Sequence, residues 1–200
     1  MTDAGADRVT VLIDYQNVHG WARRQFHDYG SDPATCGHID PVRLGQLIVQ
    51  RRSRPSVLQQ VRVYRGRPNP ERQATSARAN DRQADEWSRS PLVEVVRRNL
   101  SYPSGWPATP PMEKGVDVAL AVDAVRLSLT GATDVAVIFS HDKDLLPAVE
   151  TLTASPRCHA EVVAWAKAYR LRLDGTQRPW CHWLSQADYE TVRDRTDYSA

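Results

Sequence analysis

Short apolar runs alternate with longer amphipathic segments along most of the chain. Residues 9–13 (VTVLI) and 135–139 (VAVIF) are almost wholly apolar and rich in β-branched side chains. Such runs are typical of strands that are buried on both faces of a parallel sheet. The same reasoning predicts strands at 57–64, 92–96 and 159–164, and a last short strand at 181–184.

Helical periodicity fills the segments between these strands. Helices are predicted at 18–27, from Pro41 behind the capping residue Asp40, up to Trp87 within the polar segment 67–89, at 115–129 and at 145–152. The helix at 115–129 carries apolar residues on two stripes, which predicts that neighbours cover both. Strands that alternate with helices indicate an α/β fold, a three-layer α/β/α sandwich with a mainly parallel central sheet.

The length of 200 residues favours one domain. We expect it to span 9–184, between a disordered N-terminus (1–8) and a polar C-terminal tail (185–200). No apolar run approaches the length of about 18 residues that suggests a membrane helix, and no signal peptide is recognisable. A cytoplasmic protein without membrane contact, either a monomer or a homodimer, is therefore expected.

Charge and cysteine content add little. The net charge is +2, and 23 of the 26 basic residues are arginine, which reflects either codon bias or contact with phosphate. Cys36, Cys158 and Cys181 each have a histidine nearby in the sequence, but no C-x-x-C pair of the kind that structural zinc sites use is present. We expect buried or idle thiols, with neither a disulfide nor zinc.

Four aspartates follow predicted strands or begin predicted helices on one edge of the sheet. Asp14 directly follows the first strand, and Asp142 and Asp144 follow the strand at 135–139. Asp117 lies in the first turn of a helix that follows a strand and a long loop. Because the carboxyl ends of parallel strands meet at one edge, these carboxylates are expected to converge.

Converging carboxylates repel one another unless a cation lies between them. Their hard oxygen ligands suit Mg²⁺ or Mn²⁺, which can activate water and stabilise a phosphoryl oxygen. The alternative for Asp14 and Asp142 is helix capping; the convergence of four acids favours a metal. Asp123 lies on an apolar helix stripe and is either a fifth member of the site or a buried structural acid.

At these residues the sequence resembles the NYN family, a branch of the PIN-like nucleases. The resembling segments are IDYQN (13–17), VYRG (63–66), EKGVDVALAVD (113–123) and SHDKDL (140–145). The resemblance implies a PIN-like fold, a Mg²⁺ or Mn²⁺ site and cleavage of RNA. It places the metal-binding and catalytic acids at Asp14, Asp117, Asp142 and Asp144, adds Asn17 as a residue that orients a ligand or contacts the scissile phosphate, and suggests that Lys114 meets a backbone phosphate.

One motif departs from the family. Where the family usually has S-G-D-x-D-F, this chain has His141 for the glycine and Leu145 for the phenylalanine. His141 narrows the site, donates a proton or points to solvent. Ser140 and His141 are expected on the substrate-binding side of the site.

Contact with RNA requires basic or aromatic groups at the rim of the site. Arg65 and Arg67 follow the second strand at the same edge and are the candidates for backbone contact; a solvated surface is the alternative. Trp106 in the long loop either stacks on a base or packs within the loop. The tryptophans expected in the core are Trp21, Trp87, Trp165, Trp180 and Trp183.

Two other enzyme classes fit the sequence poorly. A haloacid dehalogenase-like phosphatase has a second aspartate two residues after the first, where this chain has Gln16, and a dinucleotide-binding domain needs a G-x-G-x-x-G that is absent. The sequence therefore predicts a metal-dependent ribonuclease. The alternative is a catalytically weak or inactive PIN-like module that binds RNA or a protein.

Overall fold

Six parallel strands form one central sheet in the computed structural model, which describes residues 5–33, 35–174 and 178–199. The strands are β1 (Asp7–Asp14), β2 (Ser56–Arg67), β3 (Val93–Asn99), β4 (Val135–Phe139), β5 (His159–Trp165) and β6 (Trp180–Leu184). Their order across the sheet is β3-β2-β1-β4-β5-β6. The order reverses between β1 and β4, so the carboxyl ends of these neighbours form the crevice where ligands of such sheets bind.

Helices cover both faces of the sheet, as the sequence predicts. They are α1 (Tyr15–Phe26), α2 (Pro41–Gln50), α3 (Ala74–Trp87), α4 (Val116–Thr130), α5 (Leu146–Thr153) and α6 (Gln186–Val192). Residues of α1, α2, α3 and α6 contribute to the core on one face, while α4 and α5 contribute to the core on the other. The α/β/α sandwich is thus confirmed. No helix among the described residues is long and apolar enough to cross a membrane.

The prediction that neighbours cover both apolar stripes of α4 is wrong. Leu120 and Leu127 face the sheet and are buried, but Val118, Val122 and Leu129 are more than half exposed. The sheet and α5 pack against the inner side of this helix. The outer stripe has no helix over it within the described residues.

Both ends of the domain extend beyond the expected limits. β1 begins at Asp7 because it pairs with Ser56 at the start of β2, while residues 1–4 of the expected disordered N-terminus and Ala200 fall outside the described residues. The segment after Leu184, expected as a polar tail, forms α6 and then packs on the domain. There Asp194 accepts hydrogen bonds from Trp87 Nε1 at 3.3 Å and from Tyr198 Oη at 2.7 Å.

Two of the tryptophans expected in the core are buried and two are exposed. Trp87 and Trp165 are buried as predicted, but Trp180 and Trp183 are 65% and 43% exposed. Both exposed residues lie on β6, which is the edge strand of the sheet. Their side chains therefore lack the neighbouring strand that encloses an inner residue.

Asp123 joins α4 to β2 through a network of polar contacts. Its Oδ2 accepts hydrogen bonds from Tyr64 Oη at 2.9 Å and Arg62 Nη1 at 3.2 Å, and its Oδ1 lies 2.8 Å from Arg126 Nη2. These contacts support the structural alternative for Asp123. They leave it engaged by two cations and a phenol rather than by the acidic edge.

We predict that Asp123→Asn lowers the free energy of unfolding by about 1–3 kcal/mol, since Arg62 then keeps no full charge partner on α4. Urea unfolding of the wild type and the variant measures this effect. Asp85→Asn on the exposed face of α3 is the control and should be near neutral. Loss of activity at unchanged stability would instead place Asp123 in the functional site.

Candidate active site

The carboxyl ends of β1 and β4 hold the first group of predicted site residues. Ile13 pairs with Phe139, so Asp14 and Ser140 follow their strands at the same level. The buried Ser140 hydroxyl donates to Asp14 Oδ2 at 2.8 Å and accepts from the backbone amide of Asp142 at 3.0 Å. One serine thus connects Asp14 to the turn that carries Asp142.

Asn17, in the first turn of α1, holds the same turn from the other side. Its Oδ1 accepts a hydrogen bond from the backbone amide of His141 at 2.9 Å. Asp14 caps α1, with its Oδ1 3.5 Å from the backbone nitrogen of Asn17. This arrangement supports a positioning role for Asn17, the first of its two predicted roles.

Asp14 is the most buried of the four predicted acids, with only 7% of its surface exposed. Its pKa is raised to about 6; burial is the main cause, the hydrogen bond from Ser140 opposes it, and the carboxylates of Glu113 and Asp142 add to it. No described arginine or lysine forms an ion pair with Asp14. A buried carboxylate without a cationic partner is therefore present at the crevice.

Glu113 is a member of the acidic edge that our sequence reasoning missed. Its carboxylate accepts a hydrogen bond from the backbone amide of Gly66 at the end of β2. Its pKa is raised, mainly by burial, and the charge of Asp117 contributes. Electrostatic interactions thus link Asp142 to Asp14, Asp14 to Glu113, and Glu113 to Asp117. The sequence feature that could have identified Glu113 is its position at the start of the family-like segment EKGVD (113–117).

Asp117 and Asp144 occupy the outer part of this edge. Asp117 is half-buried in the first turn of α4, and Gly115 precedes it with φ +71°, a left-handed conformation that glycine adopts without strain. Asp144 is exposed, and its backbone amide donates to Asp142 Oδ1 at 3.0 Å. Asp142 therefore caps the 3-10 turn Lys143–Leu145, so capping is present at both Asp14 and Asp142.

The acidic residues fit a hard divalent cation in type but are not fully converged. Among the described residues, no three of these acids bring one oxygen each to within 4.8 Å of one another. Asp117 and Asp142 are half-exposed and Asp144 is exposed, so none of these three side chains is enclosed as that of Asp14 is. The uncompensated charge of Asp14, surrounded by carboxylates, is what a Mg²⁺ or Mn²⁺ ion would balance.

A different group of three side chains lies close enough together to hold a metal ion. His27, Asp32 and Cys36, near the end of α1, have ligand atoms within 4.8 Å of one another. However, His27 Nδ1 already lies 3.4 Å from Asp32, its Nε2 is 2.8 Å from the Tyr189 hydroxyl, and Arg193 lies 3.8 Å from Cys36 Sγ. Since these contacts account for all three groups and Arg193 opposes a second cation, we assign no metal to this cluster.

The two arginines predicted to contact RNA are both held by protein groups. Arg65 is 9% exposed, lies 4.8 Å from the ring centroid of Tyr15 and donates to Gln83. Arg67 forms an ion pair with Asp81 at 2.8 Å. The burial of Arg65 places its charge beneath the surface, where the sequence led us to expect a rim residue. Lys114, by contrast, is exposed beside Glu113.

His141 is buried, with 8% of its surface exposed, so the solvent-facing alternative is wrong. Its ring lies 5.3 Å from that of Trp21, and its Nδ1 is 2.6 Å from the carbonyl oxygen of Tyr169. This contact requires a proton on Nδ1. Burial lowers the pKa of His141, and the ring therefore anchors the segment after β5 rather than facing water.

A cleft of about 740 Å³ opens beside Glu113. Its lining includes Gln16, Arg65, Asn80, Leu100 and Met112. Asn80 Oδ1 and Arg65 Nε, both buried in its wall, have no hydrogen-bond partner among the described protein atoms. Both polar atoms thus lie behind the surface of the cleft, next to the acidic edge.

Trp106 lies in the long loop beyond β3, near this region of the chain. Its ring meets that of Tyr102 edge-to-face, with 5.1 Å between centroids, and the residue is half-buried. This contact supports the alternative in which the indole packs within the loop.

Comparison with known proteins identifies the family of this chain. The sequence matches the NYN domain family over residues 8–172, more than three quarters of the chain. The chain belongs to the NYN domain family. NYN domains have a PIN-like nuclease-type fold, and the matched range includes all five carboxylates of the acidic edge, from Asp14 to Asp144.

Other comparisons show the fold of this NYN domain but not its activity. No curated protein matches the sequence significantly. A crystal structure of a protein of unknown function from Vibrio parahaemolyticus is similar at 15% identity, with a TM-score of 0.54, over 96% of this chain and 93% of that chain. At this identity the similarity supports the fold alone.

We predict that His141→Gly lowers the free energy of unfolding by about 2–3 kcal/mol, because it removes the packing against Trp21 and leaves a cavity. His141→Asn is the matched control: its amide can still donate to the carbonyl of Tyr169 and should retain part of the lost stability. Urea unfolding measures both variants. If the glycine variant keeps wild-type stability, His141 does not anchor this segment.

Proposed function

We propose that this NYN domain is a metal-dependent ribonuclease that hydrolyses RNA phosphodiester bonds at the edge formed by β1 and β4. The observation that carries the proposal is the carboxylate of Asp14, which is buried without a cationic partner and adjoins Glu113 and Asp142. Such a group is costly in isolation and gains most from a bound cation. The membership in a nuclease-type family supports the same reading.

Asp14, Asp117, Asp142 and Asp144 are the proposed ligands of Mg²⁺ or Mn²⁺, and Glu113 joins them as an additional candidate. When bound, such an ion supplies an activated water and stabilises charge on the phosphoryl oxygens. The protein's own contribution is to fix the ligands. Ser140 orients Asp14 and the Asp142 turn at once, and Asn17 fixes the backbone at His141.

RNA as the substrate rests on the family and on the surroundings of the acids. The cleft beside Glu113 has room for a nucleotide next to the scissile phosphate. Lys114 is exposed at the same edge and is the proposed phosphate contact.

A catalytically weak binding module is the second candidate. It is favoured by one observation: among the described residues, no three of these acids have carboxylate oxygens that all lie within 4.8 Å of one another. In this reading Asp14 and Asp142 are caps alone, and the same cleft holds RNA or a protein segment without cleaving it.

We predict that Asp14→Asn and Asp142→Asn each lower the rate of RNA cleavage by more than about a hundredfold, since each removes one charged ligand from the reacting centre. Labelled single-stranded and structured RNA, incubated with Mn²⁺, Mg²⁺ or EDTA, provides the assay. Asp85→Asn is the control and should retain full activity. Wild-type cleavage that persists in EDTA would contradict a metal mechanism.

A thermal melt separates a metal site from capping acids. In the metal-free protein, Asp142→Asn removes one repelling charge and keeps a good capping residue, so it should melt at or above the wild-type temperature. At a metal concentration about a hundred times Kd, the wild type should gain roughly 2.7 kcal/mol, and the variant should lose most of that gain. An equal shift in both proteins, or no shift in either, would exclude the acidic edge as the metal site.

A further inference from the structure

A second large cleft, formed by described residues, lies at the opposite edge of the sheet from the acids. It has a volume of about 1050 Å³ and includes the first residues of β1, β4, β5 and β6 or residues next to them. We call it the basal cleft. The residues of its outer lining that bear on binding are Arg54, Arg157, Arg170, Trp180 and Trp183.

The basal cleft concentrates positive charge. Its lining contains six arginines and three acidic residues, a net charge of +3 with neutral histidines. The whole chain has a net charge of only +2, so the rest of the molecule is slightly negative. The net charge of the chain is therefore small although the two ends of the strands differ in charge, with an acidic edge at one end and a basic edge at the other.

The acids of the cleft are already neutralised by other residues. Arg52, whose side chain is 4% exposed, pairs with both Asp7 and Glu161, and Glu161 also accepts from His182 at 2.7 Å. Asp134 forms an ion pair with Arg8 at 2.9 Å. These pairs engage all three acids of the cleft, and none of the three forms an ion pair with Arg157 or Arg170.

Two outer arginines retain uncompensated charge. Arg157 donates to the carbonyl oxygen of Leu129 at 3.1 Å, and Arg170 lies 5.8 Å from the ring centroid of Trp183. Neither forms an ion pair with a described residue. Arg54 is also largely exposed, at 72% of its side chain, although it lies 3.4 Å from Asp7.

Exposed indoles accompany these cations. Trp180 and Trp183 on the edge strand β6 are 65% and 43% exposed and line the same cleft. An exposed indole surface beside arginines is the combination by which proteins bind single-stranded nucleic acids: the bases stack on aromatic rings while cations follow the phosphates.

We propose that the basal cleft is a second binding site for single-stranded RNA, remote from the acidic edge. The inference takes RNA as the ligand from the proposed function but does not depend on cleavage. Strands of five to eight residues at about 3.3 Å per residue separate the two edges by roughly 20 Å. A long RNA can therefore contact both edges, whereas a very short one cannot.

Binding is measured by fluorescence anisotropy in EDTA, so that cleavage plays no part. The probe is a labelled single-stranded RNA of about 30 nucleotides, tested against the wild type, Trp180→Ala and the double variant Arg157→Ala/Arg170→Ala. The control is Arg89→Ala/Arg195→Ala, which removes the same charge from exposed arginines outside the cleft. Thermal melts confirm that all four proteins are folded.

We expect Trp180→Ala to raise Kd by about five- to a hundredfold, the range for removing one stacking ring. The double arginine variant should raise Kd and reduce the slope of log K against log salt by about 1.4, for two lost phosphate contacts. In the control, log K should fall with log salt more steeply than in the double arginine variant, because the phosphate contacts of the cleft are intact. Inorganic polyphosphate, which has no bases, should respond to the arginine change but not to Trp180→Ala.

Two outcomes would overturn the proposal: a wild type that does not bind the RNA, and variants that bind it with the wild-type Kd. Duplex RNA bound as tightly as the single strand, with no effect of Trp180→Ala, would also exclude a single-strand site. The two proposals can fail independently. If the protein does not cleave RNA in Mn²⁺, the proposed nuclease function fails, but the binding measured by anisotropy in EDTA still tests the basal cleft. If cleavage does occur, kcat for a dinucleotide, which is too short to reach both edges, should be the same in all four proteins.

Discussion

The hydrogen bond from the Ser140 hydroxyl to Asp14 is the contact on which the geometry of the site depends. It connects the ends of β1 and β4, the two strands between which the order of the sheet reverses. Because the same oxygen accepts from the Asp142 amide, it also sets the position of the second acid. Replacing this buried hydroxyl with an apolar group would leave Asp14 with only a long contact from Asn17. The hydrogen bonds from Ser140 and Asn17 offset part of the cost of burying Asp14, whereas the neighbouring carboxylates of Glu113 and Asp142 add to that cost.

Strand direction was sufficient to predict much of this arrangement. The apolar runs at 9–13 and 135–139 and the acids just after them indicate both a parallel sheet and a common edge, and the structure has both. What the sequence could not show is which hydrogen-bond and ion-pair partners each side chain has in the fold. Arg65 follows a strand as a rim residue would, yet it is buried under Tyr15. Glu113 is an unremarkable acid in the sequence until the Gly66 amide brings it to Asp14.

Periodicity also has a limit that this chain illustrates. A two-stripe apolar pattern on α4 predicts cover on both sides, but the pattern does not say whether a neighbour exists, and Val118 and Val122 remain exposed. The polar composition after Leu184 similarly suggests a tail, although a few well-placed groups are enough to attach it. Asp194 achieves this by accepting from Trp87 and Tyr198. In both cases the decisive contacts join residues far apart in sequence.

Capping and metal binding are compatible at Asp14, and the geometry shows why. A carboxylate has about four acceptor positions, and the described donors to Asp14 are the Ser140 hydroxyl and the distant Asn17 amide. Acceptor capacity therefore remains after the cap and the serine are satisfied. The same holds for Asp142, whose Oδ1 accepts from the Asp144 amide. Capping fixes the orientation of each carboxylate in advance, so a cation that binds there meets ligands whose rotational freedom has already been reduced by folding. The proposed metal site is therefore compatible with the observed capping, and the two readings that were alternatives in the sequence do not exclude each other.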